Sequence, residues 1–89
     1  MKFSIILPTF NRGGTYLRDA VESVINQEFK DWELIIIDNN STDNTIKLIE
    51  SYNCNKITMH NINNEGIIAK SRNLGIKNAS GDFIAFLDS

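Results

Sequence analysis

Apolar positions along this chain form two patterns, unbroken runs and helical repeats, and the two alternate. Residues 3–7 (FSIIL), 34–37 (LIII) and 83–87 (FIAFL) are continuous rather than alternating in polarity. Such runs suit strands covered on both faces, as in a parallel sheet. Residues 57–60 (ITMH) make a weaker run and predict an outer strand. Between the first two runs, Leu17, Ala20, Val21, Val24 and Ile25 recur at helical spacing, which predicts an amphipathic helix over 16–27 with Thr15 as its N-cap. A second helix is expected to start within 41–45 and run to about residue 52, with Ile46 and Ile49 inward. A third covers 67–78, with Ile68, Ser71, Leu74 and Gly75 on one face, and Gly81 stands where a helix-ending glycine belongs.

The order is strand then helix three times over, closed by a fourth strand. Each crossover is long enough for a parallel βαβ unit, and such units are almost always right-handed. The fold class predicted is therefore α/β: half of a doubly wound, Rossmann-like sheet in the order 3-2-1-4, with helices on both faces. Eighty-nine residues without repeat or linker make one domain, 1–89. Composition narrows the partners. Nine basic against eleven acidic residues leave a net charge of −2, which gives no support to nucleic-acid or anionic-membrane binding. A single cysteine, Cys54, permits neither an intrachain disulfide nor a zinc cluster and reads as a reduced thiol near a strand. The opening MKFSIILP is too short for a signal peptide, and no apolar stretch approaches the roughly 20 residues of a membrane span. The chain reads as cytoplasmic, with any membrane association assigned to sequence beyond it.

In an open parallel sheet, ligands bind beyond the carboxyl ends of the strands where the strand order reverses. For the order 3-2-1-4 that crevice lies between the first and fourth strands. Strand one leads into Pro8, Thr9, Phe10, Asn11 and Arg12, strand two into Asp38 to Asn44, and strand four into Asp88. Two carboxylates and a Pro-Thr-aromatic turn thus converge on one rim. Each also has a plainer reading. Asp38 alone suits a loop start, and Asp43 suits the first turn of helix two, where negative charge complements the helix dipole. Phe10 could be core, Asn11 and Arg12 a solvated loop, and Gly13–Gly14 a tight turn. His60 is a lone histidine of structural type, and Trp32 should pack at the entrance to strand two. No GxGxxG follows strand one, and no P-loop occurs.

In combination the segments say more. SIILPTFNR (4–12), ELIIIDNNSTDNT (33–45), NEG (64–66), KSRNLGI (70–76) and ASGDFIAFLDS (79–89) occur in that order. The chain resembles, over nearly its whole length, the family-two glycosyltransferases of GT-A fold, which use nucleotide-activated sugars. The resemblance implies that Pro8, Thr9 and Phe10 line a nucleotide pocket, with the aromatic against the base. It implies that Asp38 accepts the imide N–H of uracil and that Asn40 and Ser41 form the polar loop beside it, with Asn11 on the same rim. Gly66, Lys70 and Arg72 would approach the nucleotide from the far side, offering a cation to a phosphate or the base. Asp88 matches the first acid of the family's DxD motif, assigned to the ribose and to a divalent metal, Mn2+ or Mg2+. The implied function is inverting, metal-dependent transfer from a nucleoside-diphosphate sugar, a UDP-sugar, to an acceptor hydroxyl of a glycan, lipid or protein.

The family pattern continues past Ser89 with a second acid, an acceptor subdomain and a catalytic base. The expectation is accordingly an N-terminal, nucleotide-binding part of a glycosyltransferase, inactive in transfer by itself. Two other classes compete. A phosphoryl-receiver module would want paired acids after strand one, where Thr9 and Phe10 stand. A non-catalytic nucleotide-binding or assembly module is compatible with every residue present. Residues 83–87, apolar toward both faces at a sheet edge, predict self-association of the chain through strand four.

Overall fold

The apolar runs form a four-stranded parallel sheet in the order β3-β2-β1-β4. A computed structural model of the chain describes residues 1–11 and 15–87, with the side chain of Thr15 also outside the described set. Along the chain, β1 (Phe3–Thr9), α1 (Thr15–Ile25), β2 (Trp32–Asp38), α2 (Thr45–Ser51), β3 (Ile57–Asn61), α3 (Ile68–Asn78) and β4 (Phe83–Phe86) alternate as the sequence pattern predicts. The loop reading of Arg12, the turn reading of Gly13 and Gly14, the site expected at Asp88 and the N-cap expected of Thr15 fall outside the described residues and side chains.

The two faces of the sheet bury separate cores. Ile5 and Leu7 of β1 and Leu34 and Ile36 of β2 pack under Leu17, Val21 and Val24 of α1 and Ile49 of α2. Ile6, Ile35 and Ile37 point the other way and meet Leu74 of α3, with Ile62 and Ala79 beside them. Alternation of side chains across a strand makes this division, so the continuous runs are apolar because both faces are covered. Trp32 is buried at the entrance to β2, with the Lys56 ammonium 4.9 Å from its ring centroid.

Two local readings change. Gly81 does not end α3: the helix stops at Asn78, and its C-cap Ala79 is extended at φ −75° and ψ 138°. A Cβ on Gly81 would lie 2.7 Å from both the Lys2 carbonyl oxygen and Ser4 Oγ, so the missing side chain lets the chain cross tightly against β1. Pro8 and Thr9 belong to β1 rather than to a turn, in register with Ile37 and Asp38. β1 bonds β2 through its odd residues, as Phe3 N donates to Asp31 O and Asn39 N donates to Thr9 O. Its even residues serve β4, as Leu87 N donates to Ile6 O. Pro8 is the next even residue and has no N–H to give, so it fits where the β1–β4 ladder ends and the strands diverge.

Candidate functional site

The tips of β1 and β2 and the start of α3 form one rim, tied together by side chains of the loops. Asp38 ends β2 fully buried, yet its carboxylate has local partners. Ser41 N donates to Asp38 Oδ2 at 3.0 Å and the Ser41 hydroxyl to Oδ1 at 2.5 Å. This is the short-range side-chain turn that Asp favours after a strand. Asn40, inside that turn and exposed, takes a left-handed φ of 52°, which Asn tolerates better than most residues.

Asn11 braces the same loop from β1. Its backbone N donates to Ser41 Oγ at 2.8 Å, and its own Oδ1 accepts Thr42 N at 2.8 Å and Asp43 N at 3.3 Å. A relay therefore runs from the Asn11 amide through the Ser41 hydroxyl to the Asp38 carboxylate. Asp43 serves α2 as the sequence predicts, its Oδ1 accepting both the N–H and the hydroxyl of Thr45. On the other side, Asn39 Oδ1 accepts Asn64 N at 2.9 Å, and buried Asn64 donates to Ser71 of α3 at 3.0 Å. Asn64 Oδ1 also accepts Gly66 N, in a turn where Glu65 and Gly66 have φ of 54° and 81°. A polar chain thus joins the loop after Asp38 to the first turns of α3.

Thr9 lies beside Asp38 in register, and both point to the α1/α2 side of the sheet. Among the described residues Thr9 Oγ1 is buried without a hydrogen-bond partner, which leaves a donor and an acceptor at the strand tip. Phe10 follows it, half exposed at 52%. Arg72 and Lys70 are not brought together. Ser71 and Gly75 press α3 onto the sheet, and two residues on a helix are about 200° apart. Arg72 turns toward β4, its guanidinium carbon 5.4 Å from the Phe86 ring centroid. Lys70 turns away and pairs with Glu65 at 3.3 Å. Among the described residues, no three His, Cys, Asp or Glu side chains converge as metal ligands. Cavities of about 340 Å3 and 450 Å3 open elsewhere, beside α2, and neither includes Asp38.

A family profile described as Glycosyl transferase family 2 matches residues 4–89, nearly the whole chain. The chain belongs to this family. An uncharacterized glycosyltransferase of Rickettsia felis is 46% identical over 89 residues, and the match spans 99% of this chain and 14% of that protein. The poly(ribitol-phosphate) beta-N-acetylglucosaminyltransferase TarS of Staphylococcus aureus is 36% identical over 94 residues, covering all of this chain and 16% of TarS. The crystal structure of TarS 1–349 in complex with UDP superposes with a TM-score of 0.89 at 36% identity, over the whole of this chain and 27% of that one. A mannosyltransferase from Pyrobaculum calidifontis, in complex with GDP-Man and Mn2+, matches with a TM-score of 0.86 at 18% identity, over 98% of this chain and 27% of that one; this likeness bears on fold alone. The family-two chain described here thus has the parallel 3-2-1-4 sheet of its structural neighbours and spans a small part of their length. The sequence places Asp38 in the site readily, but the bracing roles of Asn11, Ser41 and Asn64 leave only a weak trace in it: an Asn or Ser in a loop.

Proposed function

We propose that this chain is the nucleotide-binding half of a glycosyltransferase domain and takes a UDP-sugar as donor. The observation that carries the reading is the buried Asp38 carboxylate at the tip of β2, one strand away from the β1/β4 switch point, fixed by Ser41 and flanked by the Thr9 hydroxyl, which has no partner among the described residues. Uracil presents one imide N–H between two carbonyls, which an acceptor-only carboxylate suits, and a hydrogen bond to a charged group contributes about 1.5–3 kcal/mol. Ser41 takes one acceptor position on each oxygen of a group that offers about four. The UDP complex of the TarS relative supports the same donor nucleotide.

In this reading Phe10 covers the base, Pro8 and Thr9 form the pocket wall, and Asn11 and Asn40 hold the loop around Asp38. Arg72, on the β4 side, is the cation for the diphosphate, whereas Lys70 reaches the donor only by leaving Glu65. The intact protein would catalyse attack of an acceptor hydroxyl on the anomeric carbon. The hydroxyl proton goes to a general base, and the bond to the diphosphate breaks with its electron pair on the leaving oxygen, with inversion. A divalent ion, Mn2+ or Mg2+, with Asp88 as one ligand, belongs to the same proposal and would neutralise charge on the leaving group. The 89 residues alone would bind donor without completing transfer, in the cytoplasm, with membrane association left to sequence outside this chain.

Calorimetric titration of UDP into the chain, with and without Mn2+ and against ADP, tests this. Binding selective for UDP is expected, strengthened by Mn2+. Equal affinity for UDP and ADP would overturn the role of Asp38, and an unchanged UDP affinity with Mn2+ would overturn that of Asp88.

A further inference from the structure

Asn64 is buried, 2% exposed, and is bonded through its backbone and through both ends of its side chain. Its backbone N donates to Asn39 Oδ1 at 2.9 Å, and its backbone O accepts Ile67 N at 2.8 Å. Its Oδ1 accepts Gly66 N at 2.8 Å, while its Nδ2 donates to Ser71 Oγ at 3.0 Å. A buried amide with both ends satisfied rigidifies the segments it joins.

The neighbours of its two distant partners give this rigidity a use. Asn39 directly follows Asp38, and alternation sends Asp38 toward α1 and α2 but Asn39 toward α3. Ser71, itself buried, lies between Lys70 and Arg72 on the face of α3 that meets the sheet. Asn64 therefore spans from the residue beside the base-reading carboxylate to the residue beside the cation. The N-cap of α3, Ile67, is extended and makes no side-chain cap bond, so the bond from Asn64 to Ser71 is what fastens this end of the helix by a side chain. Successive residues on a helix are about 100° apart, so a small rotation of this end would carry Arg72 off the β4 side.

We propose that Asn64 is a positioning residue for donor binding, which holds Arg72 at a set place relative to Asp38. A nucleotide whose base meets Asp38 then finds the guanidinium at its diphosphate. The inference rests on the nucleotide reading above and names the residue that makes its two ends cooperate. A helix turn fastened beforehand need not be ordered when the diphosphate arrives, and preorganisation of this kind raises affinity.

The test is nuclear magnetic resonance titration of uridine and of UDP, without metal, into the chain and its variants. The ratio of the two affinities reads the diphosphate contribution, because a loss of folded protein lowers both alike. UDP should bind the wild type more tightly than uridine. Asn64→Ala keeps the backbone bond to Asn39 and removes the side-chain link to Ser71. It should lower the ratio about tenfold, the equivalent of about 1.4 kcal/mol. Ser71→Ala cuts the same link, leaves the other bonds of Asn64 in place, and puts a strong helix former in α3. It should give the same loss. In an Arg72→Gln background Ser71→Ala should lower the ratio no further, since both changes act through one guanidinium. A Ser71→Ala chain with the wild-type ratio overturns the positioning role and leaves the nucleotide reading standing. So does a loss that persists in full on Arg72→Gln. A wild-type chain that binds uridine and UDP equally overturns the diphosphate role of Arg72 and this inference with it, and one that binds neither overturns the nucleotide reading itself.

Discussion

Asp38→Asn is a sharper probe than a change of one atom suggests, because both carboxylate oxygens are engaged. Oδ2 accepts the Ser41 amide at 3.0 Å and Oδ1 the Ser41 hydroxyl at 2.5 Å. An asparagine can keep its oxygen toward the amide only by turning its NH2 group to Ser41 Oγ. That oxygen already accepts the Asn11 amide at 2.8 Å, so it would have to accept twice and send its proton elsewhere. One charge-assisted bond is lost and the other becomes neutral. With about 1.5–3 kcal/mol for a hydrogen bond to a charged group and about 0.5–1.5 kcal/mol for a neutral one, the gross loss is about 2–4 kcal/mol. Relief of the desolvation of a buried charge offsets part of this, and a net destabilisation of about 1–2 kcal/mol is expected. UDP should bind at least about tenfold more weakly, the equivalent of about 1.4 kcal/mol, because the imide N–H loses its charged acceptor. Weak ADP binding should not change. Urea unfolding followed by far-UV circular dichroism measures the first effect. Calorimetry on the folded variant, well below the unfolding midpoint, measures the second. A folded Asp38→Asn chain with wild-type affinity for UDP would refute the base-reading role, and one with wild-type stability would refute the Ser41 clamp.

Two further predictions concern what holds the site in place. A Cβ on Gly75 would lie 2.5 Å from Cγ2 of fully buried Ile6, so Gly75→Ala should destabilise by about 1–2 kcal/mol: overpacking costs about 1–3 kcal/mol and alanine's helix preference returns up to about 1 kcal/mol. Thermal unfolding decides the sign, and a stabilised variant would mean that α3 has room to lift. Glu33 gives a pH dependence: burial pushes its carboxyl up, but hydrogen bonds from the Ser4 hydroxyl, the Ser80 amide and the Ser80 hydroxyl, with the Lys2 charge, together hold it below the usual 4.5. A depressed folded-state value means stability that is present above pH 4.5 and is lost as pH falls from there through the folded value. Urea midpoints should therefore drop more steeply below that pH for the wild type than for Glu33→Gln, and parallel curves would show that the Ser4–Glu33–Ser80 cluster contributes nothing to acid sensitivity.

Strand identity was legible in the sequence because burial on both faces leaves unbroken apolar runs, and the strand order followed from the length and handedness of the crossovers. Asp38 was legible as a candidate for the same reason: it ends such a run, and ligands gather at the carboxyl ends of parallel strands. Boundaries were less so. Pro8 and Thr9 read as a turn because proline ordinarily ends a strand, whereas here its missing N–H falls where β1 has no further bond to give β4. Gly81 read as a helix cap because local pattern cannot show that Lys2 and Ser4, some 77 residues earlier in the chain, leave no space for a Cβ.

What the sequence determined by itself was thus the set of elements, their alternation and the end of the sheet where a ligand could bind, all of them consequences of local periodicity. The bracing of that end was decided only in three dimensions. Asn11 reaches Ser41, Thr42 and Asp43 across about thirty residues, and Asn39 reaches Asn64 across 25. Arg72 and Lys70, two positions apart, are sent to opposite sides by the helix that Ser71 and Gly75 press onto β1 and β2. Periodicity reports which face of an element is buried; which distant polar group meets which is set by the packing of the elements, and a side chain that bridges two loops has no pattern in either.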